Sequence, residues 1–551
     1  MEQKDVASLF SGIKGEVITK EPLLKVYSHD MSIFEIKPQI VIKPYDSEDV
    51  KKIVRIAKAN GLSISSRGNG TAYTAGSLGK DIVLVFRQNM DKILEIAIDR
   101  INENNLFGKK VDQKESYVRV QPGIFYGQLS AELAKHGKFM PANPASGDFC
   151  TVGGMAANNS GGSRTVKYGS TNAYISSVKM VLDDGEEYEF SAIKAIDVGK
   201  LRGRFGEVNE RLYRLIKNNS NVIINSVPTA NKISSGYQLW RAIRDEHEFN
   251  KQNQEFYFSE IFDPLQVICG SEGTFGVITE IKFKIIDIPK ERVLITSFFN
   301  SLKDAGNATV SMLKLNPSSA EFVGKHVLGI VKQSNPEVLE KAIGNLDIPQ
   351  VILFTEFDEK VNENLMKAEG ILKENNGFNI KSAKDPKLQE QLWDIRKKSA
   401  VLIFKLHSEK KALPFVEDAC VNPTKFAEFI RAVEEIINRE HTEFAVWGHA
   451  GNGDMHLHPL IDMSTKQGRE EIFIIADKIY KKVKELKGSL SGEHGDGLLR
   501  TPYLKLIFGE EMVKLFEQTK KIFDPNNMFN PGKKVGTTVD DLRKILRESY
   551  G

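Results

Sequence analysis

Four of the ten histidines in this 551-residue chain cluster near its carboxyl-terminal end, where their types and spacing suggest chemistry. His449, His456 and His458 stand in WGHAGNGDMHLHP, and His494 follows Glu493 in GSLSGEHGDGLLR. Two imidazoles and one carboxylate form a common divalent-cation site that leaves a position open for substrate. The cluster therefore predicts a metal site, and the alternative is a set of scattered surface or core histidines on glycine-rich turns. The absence of HEXXH argues against a zincin-type protease.

The first histidine motif has the pattern of a β-hairpin. Asn452-Gly453 is a strong two-residue turn signal, and FAVW and MHLH on either side are β-type runs. A tight turn at this dipeptide would place His449 directly opposite His456, with Cβ atoms about 4.5–5.5 Å apart. Both imidazoles could then reach one ion. His458 would share the face of His456, two residues along the strand.

A first glycine cluster, RGNGTAYTAGSLG, runs from Arg67 to Gly79. Backbone N–H groups in such a turn can bind an anion because no Cβ blocks close approach. A Rossmann fingerprint would need glycine at Tyr73, and a Walker loop would need serine or threonine at Asp81, so both patterns fail. Taken alone, the cluster is equally compatible with a phosphate-binding loop and a structural turn.

Two further glycine-rich segments follow. The second runs from Pro141 to Ser170 and has too few large apolar side chains for an ordinary core; a loop of this length is usually functional or disordered. It could lie flat against a planar ligand and offer it the polar groups of Thr151, Asn158, Asn159 and Ser160; the alternative is a flexible linker. The third, Cys269 to Ile281, would by itself be an ordinary hairpin or bulge.

The intervening segments mix helix and strand patterns. Start and stop signals predict a helix from Ser47 to near Gly61 between short strands, and VICGSEGTFGVITEIKFKII is interpreted as a strand pair. Beyond Pro289, strands at ERVLITSFF, EFVGKHVLGIV and QVILFTEF alternate with helices from Ser301, over PEVLEKAIGN and from about Val361. This alternation predicts antiparallel strands with helices on one face. The residues after Lys534 are predicted to form one amphipathic helix.

Composition excludes several classes of protein. With 41% hydrophobic and 27% charged residues the chain is globular, and a net charge of +3 does not indicate a nucleic-acid binder. No apolar run reaches the roughly 18 residues of a spanning helix. The N-terminal residues lack a signal pattern, so we expect a cytoplasmic protein, with a peripheral place at a membrane left open. The three cysteines form no CxxC, which argues against an internal iron–sulfur cluster and favours buried thiols.

The three glycine clusters, in this order, resemble the FAD-binding domain of the p-cresol-methylhydroxylase (PCMH) type, found in the vanillyl-alcohol-oxidase superfamily. The resemblance runs from about Tyr27 to Ile286 and implies an α+β fold, with a PCMH-type domain of two α/β subdomains and an α+β cap domain whose sheet is antiparallel. Thr71 stands where covalent members often carry histidine, which implies non-covalent FAD. The implied FAD contacts are Arg67, Gly68, Asn69, Gly70, Thr71, Ala72, Gly76, Ser77, Pro141, Ser146, Gly147, Thr151, Gly153, Gly154, Ala157, Asn158, Ser160, Gly161, Gly270, Glu272, Gly273, Gly276, Val277 and Ile278.

Nearly the whole chain resembles one branch of that superfamily. GHAGNGDMH and SGEHGDG, together with EDACV, WDIRKKS and FDPNNMFNPGK, resemble D-lactate dehydrogenases, the glycolate oxidase flavoprotein subunit and D-2-hydroxyglutarate dehydrogenases. The resemblance implies domains at 1–287, 288–505 and 506–551, the last a helical segment that returns to the FAD domain. It also implies that His449, His456 and Glu493 bind a divalent metal, zinc or iron. His494 is implied as the catalytic base, and Arg396 and Lys411 are implied to hold the substrate carboxylate.

The implied activity is FAD-dependent oxidation of a D-2-hydroxy acid (D-lactate, D-2-hydroxyglutarate or glycolate) to the 2-oxo acid. Some members carry asparagine at the position of His458. Asn452 and Asp454 stand where members more commonly carry aspartate and asparagine, in that order. Close relatives often continue into an iron–sulfur region, whereas this chain stops at Gly551. We therefore expect a separate electron acceptor: an iron–sulfur subunit, an electron-transfer flavoprotein, a cytochrome or a quinone. A homodimer is left open.

Two alternative functions accompany this interpretation. The first is a non-redox transferase of the alkyl-dihydroxyacetonephosphate synthase type, and the second is a silent electron-transfer subunit of a larger oxidase. The intact GHAGNGDMH and SGEHGDG motifs weigh against the second alternative.

Overall fold

A computed structural model describes residues 3–101, 114–245, 260–334, 336–337, 339, 347–402 and 410–550. Among the described residues, two main sheets of four and five strands precede residue 288, together with a three-stranded and a two-stranded sheet, and one large sheet follows it.

The first sheet has four strands and is partly parallel. Its spatial order is Glu16–Ile18, Ile40–Lys43, Ile82–Val85 and Ile64–Arg67, and only the first strand is antiparallel to its neighbour. The helix Ser47–Asn60 connects two of these strands and confirms the prediction. The Asp46 side chain accepts a hydrogen bond from the Asp49 N–H at its start, and Gly61 ends it in the left-handed conformation.

The second sheet has five antiparallel strands. In spatial order these are Ile93–Ile101, Lys114–Val120, Val277–Lys284, Ile175–Val181 and Glu187–Phe190. The predicted strand pair around VICGSEG is wrong, because Leu265–Ile268 is a helical turn that follows Pro264. A short β-branched run fits a buried helix as well as a strand, and Val277–Lys284 pairs with strands from distant parts of the sequence.

Helices cover these two sheets. They span Gln3–Ser8, Glu21–Tyr27, Tyr126–Ala134, Val152–Asn158, Thr165–Tyr168, Gly203–Asn218 and Ser220–Asn225. Val152–Asn158 lies inside the second glycine-rich segment, where the sequence suggested a loop without core. Its small residues still bury Val152, Met155 and Ala156, because three apolar side chains at helical spacing suffice to anchor a short helix.

The large sheet is antiparallel, which confirms the prediction for the cap domain. Its spatial order is Phe378–Ala383, Val293–Phe299, Val351–Phe357, Ser319–Gly324, Phe444–His449, Asp454–Ile461 and Lys411–Ala412, and Ala419–Cys420 also pairs with Asp454–Ile461. The helices around it are Leu302–Leu313, Lys325–Ser334, Val361–Glu374, Pro386–Leu402, Phe426–Arg439 and Lys466–Glu485.

Helices lie on both faces of this sheet, not on one as predicted. Leu294 and Phe298 share a core with Ile395 of one helix, whereas Val293 and Phe299, on the opposite face, share the main core with helices of the other layer. The strands are apolar on both faces, which requires a cover on each. The predicted strand EFVGKHVLGIV ends at Gly324, and its second half is helical. Most of PEVLEKAIGN lies outside the described residues.

The carboxyl-terminal segment packs back on the first sheet. It contains the helices Leu504–Phe508, Glu510–Phe523 and Val539–Ile545, and the Asn530 N–H donates to the Ile64 carbonyl. The predicted helix through the last residues is wrong beyond Ile545. There Arg547 donates to the carbonyls of Phe34 and Asp30, and the Tyr550 hydroxyl donates to that of Met31, so tertiary hydrogen bonds replace helical ones. Across the described parts of the chain, every helix is too short or too polar to cross a bilayer.

Candidate active site

The histidine hairpin has a longer loop than its sequence suggests. His449 pairs with Asp454 and His456 pairs with Trp447, so the predicted pairing of His449 with His456 is wrong. Four residues, Ala450 to Gly453, form the connection. A two-residue type I′ turn needs positive φ at both central positions, and here Asn452 stays in a 3-10 turn while Gly453 alone has a φ of 69°. The two imidazoles are diagonal neighbours, with ring centroids 5.1 Å apart.

Three side-chain atoms still converge on one point. His449 Nε2 lies 2.8 Å from Glu493 Oε1 and 3.2 Å from His456 Nε2, and the third distance, His456 Nε2 to Glu493 Oε1, is 3.6 Å. Ligands about 2.0–2.1 Å from a common cation, at angles of about 90–109°, lie about 2.9–3.4 Å from one another. The three distances bracket this range and average 3.2 Å, so a small shift of the side chains would place all three atoms around one cation.

The contacts of the two imidazole rings with carboxylates also suit a metal site. His449 Nδ1 lies 2.7 Å from Glu321 Oε1, and His456 Nδ1 lies 3.3 Å from Glu417 Oε2. In the metal-free protein burial lowers the pKa of His449, but the neighbouring carboxylates, Glu321 first, outweigh this effect and raise the pKa to about 9. When a cation is bound and each Nδ1–H donates to its carboxylate, both Nε2 atoms present lone pairs to the same point as the Glu493 carboxylate. Imidazoles oriented by carboxylates in this way are typical metal ligands. The residues present fit a divalent cation.

The second oxygen of Glu493 has a cationic partner. Lys232 Nζ lies 2.8 Å from Glu493 Oε2 and 2.8 Å from Asp454 Oδ2, and its side chain is fully buried. Burial lowers the pKa of Lys232, but the surrounding carboxylates, Asp454 first, raise it further, so the amine stays charged. This ion pair leaves Oε1 of Glu493 directed toward the histidines.

His494 lies at the edge of this cluster. Its Nδ1 is 2.6 Å from Glu417 Oε2 and its Nε2 is 3.6 Å from Glu493 Oε1. The ring stacks on His456 and meets Tyr73 edge-on. Burial lowers the pKa of His494, but the neighbouring carboxylates Glu417, Asp418 and Glu493 together outweigh this effect and raise the pKa to about 10.

His458 has a different environment. It is fully buried, shares the face of His456 as predicted, and packs against Trp447 and Tyr73. Burial lowers the pKa of His458 to about 3, so its imidazole is neutral at physiological pH. His458 is therefore an uncharged neighbour of the cation-binding group.

One cavity of about 600 Å³ joins the histidine cluster to all three glycine-rich segments. His456, Glu493 and His494 line it together with Arg396. The lining from the glycine-rich segments includes many of the predicted FAD contacts: Gly68, Asn69, Gly70, Thr71, Ala72, Gly76, Ser77, Ser146, Thr151, Gly154, Ala157, Asn158, Ser160, Glu272 and Gly273. A Cβ on Gly154 would meet only the Thr151 hydroxyl, at 3.4 Å, so the protein leaves that side of the helix open. The cavity has the size and small-residue lining that a large planar ligand needs.

The other predicted FAD contacts are not among the described residues that line this cavity; they are Arg67, Pro141, Gly147, Gly153, Gly161, Gly270, Gly276, Val277 and Ile278. Several have a packing reason for their small size. A Cβ on Gly153 would lie 2.6 Å from Pro122, and one on Gly276 would lie 2.5 Å from the Val181 carbonyl. A Cβ on Gly161 would press on Thr165, Glu493 and Lys232. Such glycines shape the segments without facing the cavity.

Glu272 joins the third glycine segment to the segment that carries His494. Its two carboxylate oxygens accept hydrogen bonds from the N–H groups of Asp496 and Gly497, at 2.6 and 2.7 Å. Lys534 Nζ lies 3.1 Å from Glu272 Oε1 and 2.8 Å from Asp496 Oδ2. These buried contacts place the SGEHGDG segment against the cavity.

The two groups predicted to hold a carboxylate have different locations. Arg396 is buried, lines the cavity and is held by Glu321. Lys411 pairs with Ile461, and strand alternation puts Ile461 on the face opposite His456 and His458. In the described part of the chain the structure brings Arg396, but not Lys411, to the cavity.

Several residues that line the cavity were not predicted as site residues from the sequence: Met31, Ser66, Tyr73, Pro144, Ala145, Phe149, Cys150, Met155, Lys397, Glu417 and Trp447. Tyr73, Phe149 and Trp447 stand inside or beside the motifs, so their position was the available signal. Glu321 and Lys232 had no such signal, because they lie far from the histidines in sequence. All three cysteines are buried free thiols, in agreement with the expectation.

Two family models match the chain. Residues 38–191 match the FAD binding domain, and residues 288–534 match the C-terminal domain of FAD linked oxidases. The fold also resembles the crystal structure of p-cresol methylhydroxylase, with a TM-score of 0.66 and 13% sequence identity over 98% of this chain and 97% of that one. The chain therefore belongs to the FAD-linked oxidases with a PCMH-type FAD-binding domain.

Two dehydrogenases are similar to this chain over nearly its whole length. The D-2-hydroxyglutarate dehydrogenase of Haemophilus influenzae is 27% identical over 97% of this chain and 51% of the relative. The D-lactate dehydrogenase of Anaerostipes hadrus is 26% identical over 94% of both chains. The chain thus spans about half the length of the D-2-hydroxyglutarate dehydrogenase it matches and nearly the whole of this D-lactate dehydrogenase.

Proposed function

We propose that this protein uses non-covalent FAD and a divalent cation, zinc or iron, to oxidise a D-2-hydroxy acid to the 2-oxo acid. The observation that carries the proposal is the convergence of the histidine–carboxylate cluster and the three glycine-rich segments on one cavity. Relatives named as D-2-hydroxyglutarate and D-lactate dehydrogenases support the same reaction class. D-lactate, D-2-hydroxyglutarate and glycolate are the candidate substrates.

The chain supplies substrate binding and proton transfer. Arg396 presents a planar guanidinium that can bind the substrate carboxylate. His494 lies beside the cation ligands and accepts the proton of the C2 hydroxyl. The C2–H bond breaks as hydride, so the two electrons leave the substrate together and a carbonyl group forms at C2.

The ligands contribute what side chains cannot. FAD, when bound, accepts the hydride at N5. A divalent cation held by His449, His456 and Glu493 would lower the pKa of a neighbouring hydroxyl. The same positive charge would oppose the protonation of His494, whose pKa is about 10 in the metal-free protein, where the raising effect of the carboxylates exceeds the lowering effect of burial.

The test is an anaerobic titration of the FAD-loaded protein with D-lactate, D-2-hydroxyglutarate, glycolate and L-lactate. A substrate is expected to bleach the flavin absorbance and to yield its 2-oxo acid, with no bleaching by L-lactate. A transferase would leave the flavin oxidised at the end of the titration, and a silent subunit would respond to none of the acids. Re-oxidation by an iron–sulfur protein, electron-transfer flavoprotein, cytochrome or quinone then assigns the class of the separate acceptor.

Replacing Arg396 by lysine is expected to raise KM for the 2-hydroxy acid by about 10–100-fold. Lysine keeps the charge but loses the planar fork, and a charge-assisted hydrogen bond contributes about 1.5–3 kcal/mol. Steady-state kinetics measure the change. Arg439→Lys, at an exposed helix position, is the matched control. An unchanged KM in Arg396→Lys would remove Arg396 from the binding of the carboxylate.

Replacing Gly154 by alanine is expected to weaken FAD binding while the metal-free, flavin-free protein stays as stable or becomes more so. The new methyl group meets no protein atom closer than 3.4 Å but projects toward the cavity. Overpacking costs about 1–3 kcal/mol, whereas glycine to alanine in a helix adds about 1 kcal/mol of stability. Flavin fluorescence titration and thermal unfolding measure the two effects.

The matched control for this change is Gly370→Ala, in the helix Val361–Glu374, where a Cβ would have no neighbour within 4 Å. That variant is expected to gain stability with no change in FAD affinity. Wild-type FAD affinity in Gly154→Ala would show that the flavin does not approach this helix.

A further inference from the structure

A single buried carboxylate joins two parts of the candidate site that the sequence treats as separate. Glu321 lies on the strand Ser319–Gly324 and is fully buried. Its Oε1 lies 2.7 Å from His449 Nδ1. Its Oε2 accepts from Arg396 Nε at 3.0 Å and lies 2.9 Å from Arg396 Nη2.

The sheet register produces this arrangement. Phe322 pairs with Gly448 and Val323 pairs with Trp447, so the next position along brings Glu321 beside His449. Arg396 lies on the helix Pro386–Leu402, which packs on the sheet face that carries Val323 and therefore also Glu321. A buried carboxylate is stable only when paired and hydrogen-bonded, and here each oxygen has its own partner.

This geometry has a chemical consequence. A carboxylate that accepts from Nδ1–H keeps the lone pair of His449 on Nε2, which is the atom directed at Glu493. The same carboxylate holds Nε and Nη2 of Arg396 and so sets the plane of the guanidinium that borders the cavity. A change at Glu321 therefore moves a cation ligand and a carboxylate-binding group together.

We propose that Glu321 is a positioning residue that couples substrate-carboxylate binding by Arg396 to cation binding through His449. The proposal rests on the function proposed above for these two residues. Among the described residues, Glu321 belongs neither to the candidate metal-binding groups nor to the cavity lining. Its effect passes through Arg396 and His449.

The first test is Glu321→Gln, which keeps the size of the side chain. An amide presents one oxygen and one N–H2 group, so either His449 Nδ1–H or the guanidinium faces a donor in place of an acceptor. Loss of such a partner lowers metal affinity about 10–100-fold, and we expect a decrease of that size for Zn²⁺, measured by competition with a chromophoric chelator. KM for the 2-hydroxy acid should rise about tenfold, as for one lost charge-assisted bond, and FAD content should not change.

Glu356→Gln is the matched control. Glu356 is a second buried glutamate of the same sheet, paired with Arg164 and Ser318 and outside the cavity lining. Its replacement removes a buried ion pair of the same kind and should lower stability, yet leave Zn²⁺ affinity unchanged. A merely structural role of Glu321 would make the two variants alike.

The coupling itself is tested from the opposite end. Arg396→Gln leaves Glu321 without its cationic partner, and the described hydrogen bonds and ion pairs of Arg396 are with Glu321 and not with the three proposed cation ligands. Zn²⁺ affinity of the flavin-loaded Arg396→Gln protein should nevertheless differ from that of wild type by at least about threefold, a shift that one perturbed second-layer contact can produce. In an Arg396→Lys background, Glu321→Gln should add no further increase in KM.

Three results would overturn the inference. Wild-type Zn²⁺ affinity and KM in a folded Glu321→Gln protein would do so. A change in only one of the two quantities would assign Glu321 to one partner and end the coupling. If Glu321→Gln does not fold, unchanged Zn²⁺ affinity in Arg396→Gln has the same force. Failure of the wild type to take up Zn²⁺ would instead contradict the cation site of the proposed function, and that result appears before any variant is made.

Discussion

Alanine in place of His494 is expected to slow 2-hydroxy-acid oxidation by about 10²–10⁴-fold while FAD remains bound, which is the range a positioned general base contributes. The imidazole lies 3.6 Å from the ligand oxygen of Glu493, and Glu417 fixes its orientation through Nδ1. The backbone N–H of His494 donates to Asp418 and does not depend on the side chain. The segment should therefore keep its conformation in the variant.

Rapid-reaction measurement of flavin reduction is the appropriate assay, because it separates the chemical step from the acceptor reaction. His136→Ala, an exposed histidine of the FAD-binding domain, is the control and should behave as wild type. A normal rate of flavin reduction in His494→Ala would remove His494 as the base, whatever the steady-state rate.

Loss of the cation is the second large effect. In His449→Ala the bound ion is expected to be lost on desalting, and turnover should fall at least about 10²-fold, to that of wild type after exhaustive chelation. Removal of a second-layer partner already costs about 10–100-fold in affinity or activity, and His449 supplies a ligand atom directly. The Nε2 atom of His449 is the nearest neighbour of both other ligand atoms, so its removal leaves only His456 and Glu493.

Elemental analysis of the purified protein and activity after chelation and re-addition of Zn²⁺ or Fe²⁺ provide the readouts. His326→Ala, a cap-domain histidine outside the cavity, controls for the loss of an imidazole. Full activity of the chelated wild type with no ion present would remove the metal from the mechanism and leave the FAD site unaffected.

Local chemistry made part of the fold predictable. The helix Ser47–Asn60 begins and ends where its cap residues stand, and the helix after Ser301 begins at that N-cap, because capping depends on neighbours within four residues. The antiparallel cap sheet followed from strand runs linked by helices. Predictions failed where a short apolar run suits both helix and strand, as at Leu265–Ile268 and Lys325–Ser334.

The candidate site also has features that the sequence could predict and features that it could not. Residue types and spacing predicted a cluster of imidazole and carboxylate groups, and the structure brings His449, His456 and Glu493 together with His494 beside them. Their separate roles as ligands and base come from the resemblance and stay predictions. The pairing within the hairpin was not predictable, because the backbone angles of Asn452 and Gly453 decide whether the connection has two residues or four.

The sequence by itself therefore determined which imidazole, carboxylate and glycine-rich backbone groups are available to the candidate site, because these properties belong to single residues and short motifs. Only the tertiary structure decided how they are held. Glu321 reaches His449 from a neighbouring strand, Lys232 reaches Glu493 from before the cap domain, and Glu272 holds the His494 segment from the third glycine cluster. Each of these contacts joins residues at least 128 positions apart in the sequence, and no local sequence pattern encodes such a partner.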